Sequence, residues 1–316
     1  MKLTHENIEA CFLGLAIGDA LGVPVEFRLR DYLRDKPVVT MIGYGCWNQP
    51  PGTWSDDSSL TFCTAESLAN GYNLEDMGLR FLQWYKKGYW GAHHALFDIG
   101  NTTRIALDRI HHGEKALYSG ELDETSNGNG SLMRIVPAAL YFSNLDDEKL
   151  YLALKEISGI THAHFRSVLS CFIYSCFVGE LIKGTEKAEA WQQARNRCNT
   201  FIQAGGYNPA EIKLFDRLLL QDITTLPEST IMSSGYVLHT LEASIWAFLT
   251  TDTFAMAVLK AVNLGGDTDT TGCVTGALAG LYYGPEALPT EWVTGLAREK
   301  DIRNLALNFT KALTNR

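Results

Sequence analysis

The feature that most constrains this chain is the spacing of its apolar residues, which keeps a helical period almost from end to end. Ile8, Cys11, Phe12, Leu15 and Ala16 recur at i, i+3, i+4, i+7 and i+8, with Thr4 placed to cap the helix they define. Leu60, Cys63, Thr64, Ser67 and Leu68 repeat the pattern and stop at Asn70-Gly71, while Leu74, Met77, Phe81, Leu82 and Tyr85 repeat it and stop at Gly88. The same spacing predicts helices near 102–112, 145–157, 166–183, 186–204, 209–220, 236–249, 252–263, 270–283 and 300–314. Residues 38–42 alone read as a strand. Ten or more helices without alternating strands predict an all-α, compact, multi-helix fold. With no repeat, linker or charge block in view, residues 1–316 are expected to form a single domain.

Charge narrows the function classes. With 27 Lys+Arg against 36 Asp+Glu the net charge is −9, which lacks the basic footprint that nucleic acid or an anionic membrane requires. Arg28, Arg30, Arg34 and Lys36 are interleaved with Asp31 and Asp35 and read as a solvated face. The longest uncharged stretches, 37–55 and 270–285, are broken by Gly, Pro and hydroxyl residues, so neither reads as a membrane span. Glu6 and Glu9 stand where a secretory signal would be basic. Seven cysteines without a CxxC pair read as core thiols in a reducing compartment, and the expected location is cytoplasmic.

Four loops concentrate Gly, Asp, Asn, Ser and Thr: 14–26, 43–59, 125–134 and 263–272. Gly265-Gly266-Asp267-Thr268-Asp269-Thr270-Thr271-Gly272 sets two carboxylates and several hydroxyls before an apolar helix, a donor set suited to Mg²⁺, Mn²⁺ or Ca²⁺. It imitates the first half of an EF-hand loop, but the twelfth position is Leu278 and supplies no carboxylate. One Asp there is accounted for as a helix cap; two after a double glycine are accounted for less well. Trp54-Ser55-Asp56-Asp57-Ser58-Ser59 is a second such cluster, which alone reads as first-turn dipole compensation. If the two helices pack side by side, the carboxylates converge and call for cations, as in two-metal sites with ions ~3.5–4 Å apart.

Asn127-Gly128-Asn129-Gly130-Ser131-Leu132-Met133-Arg134 is a turn or a phosphate cradle, without the Lys of a P-loop. His162 and His164 precede a helix, and His93-His94 and His111-His112 lie in loops or at helix ends, none at zinc-site spacing. Tyr236, in Ser234-Gly235-Tyr236, reads equally as a core aromatic or a stacking platform.

In this order and spacing the segments resemble the ADP-ribosylglycohydrolase family, which includes the dinitrogenase-reductase-activating glycohydrolase and the ADP-ribosylarginine and ADP-ribosylserine hydrolases. The resemblance runs from Gly18-Asp19-Ala20-Leu21-Gly22 with Glu26, through Trp54-Ser55-Asp56-Asp57, Asp98-Ile99-Gly100-Asn101-Thr102, the 127–134 loop, Thr161-His162-Ala163-His164 and Ser234-Gly235-Tyr236, to 263–271. It implies an orthogonal helix bundle with a centre of two Mg²⁺ or Mn²⁺ ions in a cleft. Carried over by position, Ser55, Asp56, Asp57, Asp267, Asp269 and Thr270 would be metal ligands, and Glu26 and Asp269 catalytic. Asp98, Gly100, Gly128, Gly130, Ser131, Met133, His162, Ser234, Gly235 and Tyr236 would bind substrate. Where the family usually has Thr, this chain has Ser55, which keeps the hydroxyl.

The implied reaction hydrolyses the glycosidic bond between ADP-ribose and a modified acceptor, a protein side chain or a small molecule, with release of ADP-ribose from a monomeric enzyme. Two alternatives stay open: a non-catalytic ADP-ribose-binding relative, and a two-metal phosphohydrolase cutting the pyrophosphate.

Overall fold

The computed structural model describes residues 3–314. The chain opens with α1 (His5–Gly22), where Thr4 and Asn7 form a reciprocal capping box. There follow α2 (Arg30–Asp35), α3 (Asp56–Ala69), α4 (Leu74–Lys87), α5 (Asn101–His111), α6 (Val136–Tyr141), α7 (Asp147–Gly159) and α8 (Phe165–Ile182). The second half adds α9 (Lys187–Gly205), α10 (Pro209–Lys213), α11 (Asp216–Leu219), α12 (Val237–Leu249), α13 (Phe254–Val262), α14 (Thr268–Tyr283), α15 (Thr290–Gly295) and α16 (Glu299–Thr314). Among the described residues there is no strand, and one hydrophobic cluster runs from Ile8 to Phe309. The fold is all-α.

The stops anticipated from sequence are the ones used. α3 gives way at Asn70 with Gly71 at φ +112°, and α4 ends on Gly88 in the left-handed region at φ +65°. Three expectations differ. Residues 38–42 are irregular, because the Asn263 side chain supplies what a neighbouring strand would: it accepts from Val38 N–H at 2.8 Å and donates to the Val38 carbonyl at 2.9 Å. The single helix expected over 209–220 is two short ones, α10 and α11, separated at Leu214-Phe215, where Phe215 is fully buried. α2, α6 and α15 were not expected; at six residues each they are too short to display a period.

α1 and α8 lie outside the stretches weighed above as membrane segments. Both are long and apolar enough, by length and composition, to cross a bilayer. Their apolar length has another physical reason, since both are enclosed by other helices and almost wholly buried.

α1 and α14 pack antiparallel with their backbones nearly touching. A β-carbon on Gly18 would overlap the Gly272 carbonyl, one on Gly276 the Gly14 carbonyl, and one on Gly280 the Ala10 carbonyl. Glycines four residues apart on both helices therefore form a seam that no side chain can enter. Gly18→Ala is expected to cost about 1–3 kcal/mol by overpacking. Gly159→Ala at the end of α7, where the nearest atom is the Ala163 β-carbon at 3.9 Å, should stay within about 0.5 kcal/mol of wild type. Urea unfolding of the two variants checks this; equal stabilities would mean that the seam has room.

Candidate active site

The seam places the first carboxylate. Asp19 follows Gly18 on α1, is fully buried, and receives the start of α3. Its oxygens accept from Ser55 N–H (2.9 Å), Ser58 N–H (3.0 Å) and Ser58 Oγ–H (2.6 Å). An anion at a helix N-terminus satisfies orphan amides and meets the positive end of the dipole. Ser55 is the N-cap of α3: its Oγ accepts from Asp57 N–H at 3.3 Å and donates to Asp57 Oδ2 at 2.8 Å. The Thr270 hydroxyl, from α14, donates to the same oxygen at 3.4 Å.

α14 starts after Gly265 and Gly266, whose φ values of +76° and +72° suit glycine. Each also approaches other backbone, at Arg28 and Ser233 respectively, too closely for a side chain. The reciprocal bonds Phe27 N–H to Gly266 O (2.7 Å) and Gly266 N–H to Arg28 O (2.8 Å) then hold the Glu26 loop beside Asp267.

The carboxylates converge in two groups. Oxygens of Asp19, Asp57 and Asp269 lie within 4.8 Å of one another, as do those of Glu26, Asp267 and Asp269, so Asp269 belongs to both. Asp57 Oδ1, Asp267 Oδ1 and Asp269 Oδ2 are buried and have no hydrogen-bond partner among the described residues. Orphaned acceptors of this kind are costly unless something fills them. Hard oxygen donors with free lone pairs are what a Mg²⁺- or Mn²⁺-type cation requires, so the residues present fit such ions.

The electrostatics agree. Burial, and then the neighbouring acids, hold Asp56, Asp57 and Asp269 well above the ordinary carboxylate range. Burial pushes Asp19 up to about 6 against the bonds it accepts. Burial and then Asp267 push Asp98 to about 6, and burial and then Asp98 push Glu26 to about 8.

Above the acids opens a cleft of about 340 Å³, within the roughly 300–1,000 Å³ usual for ligand sites. Glu26, Asp56, Asp98, Asp267 and Thr270 line one part of it, and Gly100, Gly128, Gly130, Met133, His162 and Gly235 the rest. The 127–134 loop is tied across to the segment before α12: Asn129 N–H donates to Gly235 O and Val237 N–H to Asn127 O, both at 3.0 Å. Asn129 Nδ2 then donates to Asp267 Oδ2 at 2.9 Å, joining the glycine loop to the acids. Larger hollows beside Asp108 and His112 (about 430 Å³) and beside Arg34 and Lys260 (about 520 Å³) gather no such acids.

Of the residues singled out by sequence, Ser55, Asp57 and Asp269 lie buried beneath the cleft and do not line it. Ser131 is fully buried behind it, with its Oγ 2.8 Å from Ser158 Oγ. Ser234 is exposed and pairs with His239, and the Tyr236 ring meets His239 edge-on at 5.0 Å; neither lines the cleft, although the Tyr236 backbone bridges to Gly128. Three residues were missed. Asp19 stood within the first motif quoted, Gly18-Asp19-Ala20-Leu21-Gly22, but was given no role. Asn129 stood within a quoted motif but without a role. Trp47, whose indole N–H donates to Glu26 Oε2 and whose ring lies between Phe27 (6.2 Å) and Phe97 (5.6 Å), gave no local sign of its partners.

The similarity to known proteins runs over nearly the whole chain. Residues 2–316 match the ADP-ribosylglycohydrolase profile. The ADP-ribosylarginine hydrolase Tri1 of Serratia proteamaculans is 34% identical over 95% of this chain and 78% of its own. The ADP-ribosyl-[dinitrogen reductase] glycohydrolase of Rhodospirillum rubrum is 30% identical over 95% of this chain and 94% of its own. A solved structure described as an ADP-ribosylglycohydrolase-related protein complex superposes with a TM-score of 0.79 at 32% identity, covering 98% of both chains. The chain belongs to the ADP-ribosylglycohydrolase family, whose enzymes hydrolyse the bond between ADP-ribose and a modified acceptor.

Two aspartates of one cluster should respond oppositely to neutralisation in EDTA-treated protein. Asp269→Asn removes a charge from a crowded site and should keep or raise the melting temperature. Asp19→Ala removes the acceptor that starts α3 and should cost about 0.5–2 kcal/mol. Calorimetry of both variants decides; equal losses would refute the crowding.

Proposed function

We propose that this enzyme removes ADP-ribose from arginine side chains, using two Mg²⁺ or Mn²⁺ ions. The observation that carries the reading is the pair of overlapping acid groups, with their unpartnered buried oxygens, at the floor of the glycine-lined cleft. Arginine as acceptor is supported by the relatives whose names specify it. It is also supported by the rim: the carboxylates of Glu26 and Asp98 beside the aromatic Phe27, Trp47 and Phe97 suit a planar cation.

In this reading Asp269, common to both acid groups, would help to hold the ions, with Ser55, Asp56, Asp57, Asp267 and Thr270 completing the donor set, while Asp19 caps α3 and belongs to one of the same groups. When bound, the ions supply charge stabilisation for the ribose hydroxyls and a more acidic water. The glycine loop and His162 hold the diphosphate, with Gly128 and Gly130 leaving room beside the backbone.

The bond broken joins the anomeric carbon to a guanidine nitrogen, through an oxocarbenium-like transition state. A water oxygen bonds to that carbon, the C–N electron pair leaves with the guanidine, and one proton passes from water to the departing nitrogen. Glu26 is the group placed to move that proton. It lines the cleft, whereas Asp269 lies beneath, and Trp47 holds one of its oxygens so that the carboxyl faces the site.

Incubating the enzyme with proteins ADP-ribosylated on arginine or on serine should release free ADP-ribose from the arginine form, and EDTA should stop it. AMP with ribose phosphate would instead mean pyrophosphate hydrolysis, and no product a binding protein. Glu26→Gln should lower kcat by about 10²–10⁴-fold, with the metal-dependent rise in melting temperature kept. Ser55→Ala should raise the Mn²⁺ concentration for half-maximal activity, while Ser55→Thr, which keeps the hydroxyl and stiffens χ1, should not.

A further inference from the structure

Arg134 ends the glycine loop, and nothing in the reaction above uses it. Its side chain is fully buried, and none of the ion pairs among the described residues includes it. Nη1 donates to the Ile157 carbonyl (3.2 Å), Nη2 donates to Thr161 Oγ1 (2.7 Å), the guanidinium lies 4.7 Å from the centre of the Phe81 ring, and Nε has no partner among the described residues. A guanidinium buried without an anion is expensive. Packing alone does not account for it, since an apolar side chain would fill the same space at less cost.

The protons explain what it does. A guanidinium can only donate, so Thr161 Oγ1 accepts from Arg134. Among the described residues the one other polar partner of that hydroxyl is His162 Nδ1, at 2.7 Å. If Nδ1 carried the ring proton, the hydroxyl hydrogen of the fully buried Thr161 would have no acceptor, a condition that protein interiors avoid. A doubly protonated ring would face the same problem, and burial together with the Arg134 charge pushes His162 down to about 3. One arrangement satisfies the Thr161 hydroxyl in full: Arg134 donates to Thr161, Thr161 donates to Nδ1, and the ring proton sits on Nε2.

We propose that Arg134 is a positioning residue that, through Thr161, fixes His162 as the neutral Nε2–H tautomer and so aims a single N–H donor into the cleft between Gly128 and Gly130. Nε2 has no hydrogen-bond partner among the described residues, and β-carbons on Gly128 and Gly130 would lie 3.4 and 3.3 Å from it. Their absence leaves space for a ligand oxygen beside the donor. The His162 backbone is fixed as well. Ser158 Oγ donates to the His162 carbonyl at 2.7 Å, and His162 N–H donates to Ser158 O at 2.8 Å. That the oxygen belongs to ADP-ribose rests on the function proposed above; the tautomer does not.

Two measurements separate the claims. Long-range ¹H–¹⁵N correlation spectra of the imidazoles, assigned with His162→Gln, read the tautomer directly in the ligand-free protein. Wild type is expected to show Nε2–H. Thr161→Val, which keeps the shape and deletes the relay, should populate the Nδ1–H form, and Thr161→Ser should restore Nε2–H. Arg134→Met should behave as Thr161→Val does; if it does not fold, the two Thr161 variants still decide. Calorimetric titration with ADP-ribose should show binding weakened by about tenfold in Thr161→Val and recovered in Thr161→Ser. An Nδ1–H tautomer in wild type, or an unchanged tautomer in Thr161→Val, would overturn the proposal. Failure of wild type to bind ADP-ribose would remove the function assigned to the cleft, while the tautomer would still decide the role of Arg134.

Discussion

The closeness of α1 to α14 is the constraint on which the rest of the site depends. With glycines at 14, 18 and 22 on one helix and at 272, 276 and 280 on the other, the backbones meet without intervening side chains. Both N-terminal ends of the active-site chemistry follow from it. The start of α14 comes down beside the end of α1, so Asp269 stands next to Gly22, and Asp19 faces the first turn of α3. Were the helices separated by ordinary side chains, at the usual 8–10 Å between axes, the two acid groups would not share Asp269.

That proximity carries an electrostatic cost, and the fold offsets part of it locally. Asp56 and Asp57 occupy the first turn of α3 and Asp269 the first turn of α14, where helix dipoles favour negative charge. Ser55 and Thr270 give hydrogen bonds to Asp57, and Ser58 gives one to Asp19. These contributions leave several buried oxygens without partners. The site is therefore complementary to cations and not to itself, a common bargain where function is stored in an otherwise unfavourable cluster.

On the opposite wall the logic reverses. There the buried charge is positive and the groups facing the cleft are neutral: glycine backbone and His162. Arg134 sits a layer behind, reached through one hydroxyl. An acid floor and a donor-rich neutral wall divide the cleft into two chemically distinct halves, joined by the bond from Asn129 to Asp267.

Much of this was legible in one dimension. The 3.6-residue period, the stops at Gly71 and Gly88 and the two hydroxyl–acid clusters are local patterns, and local patterns survive in a sequence because each depends on a few neighbouring residues. Short helices such as α6 carried too few residues to declare themselves, and residues 38–42 imitated a strand because β-branched spacing says nothing about a partner such as Asn263. The sequence by itself determined the helical class, the two hydroxyl–acid clusters and the glycine loop. Only the tertiary structure decided that Asp19 joins Asp57 and Asp269, that Ser131 and Ser158 stand behind His162, that Trp47 holds Glu26, and that Arg134 acts across Thr161. Asp19–Asp57, Asp57–Asp269 and Trp47–Glu26 bring together side chains tens to hundreds of residues apart, and no local propensity encodes such a distance. The seam between α1 and α14 encodes it, because a helix axis, once placed, carries every side chain on it to a fixed position in space.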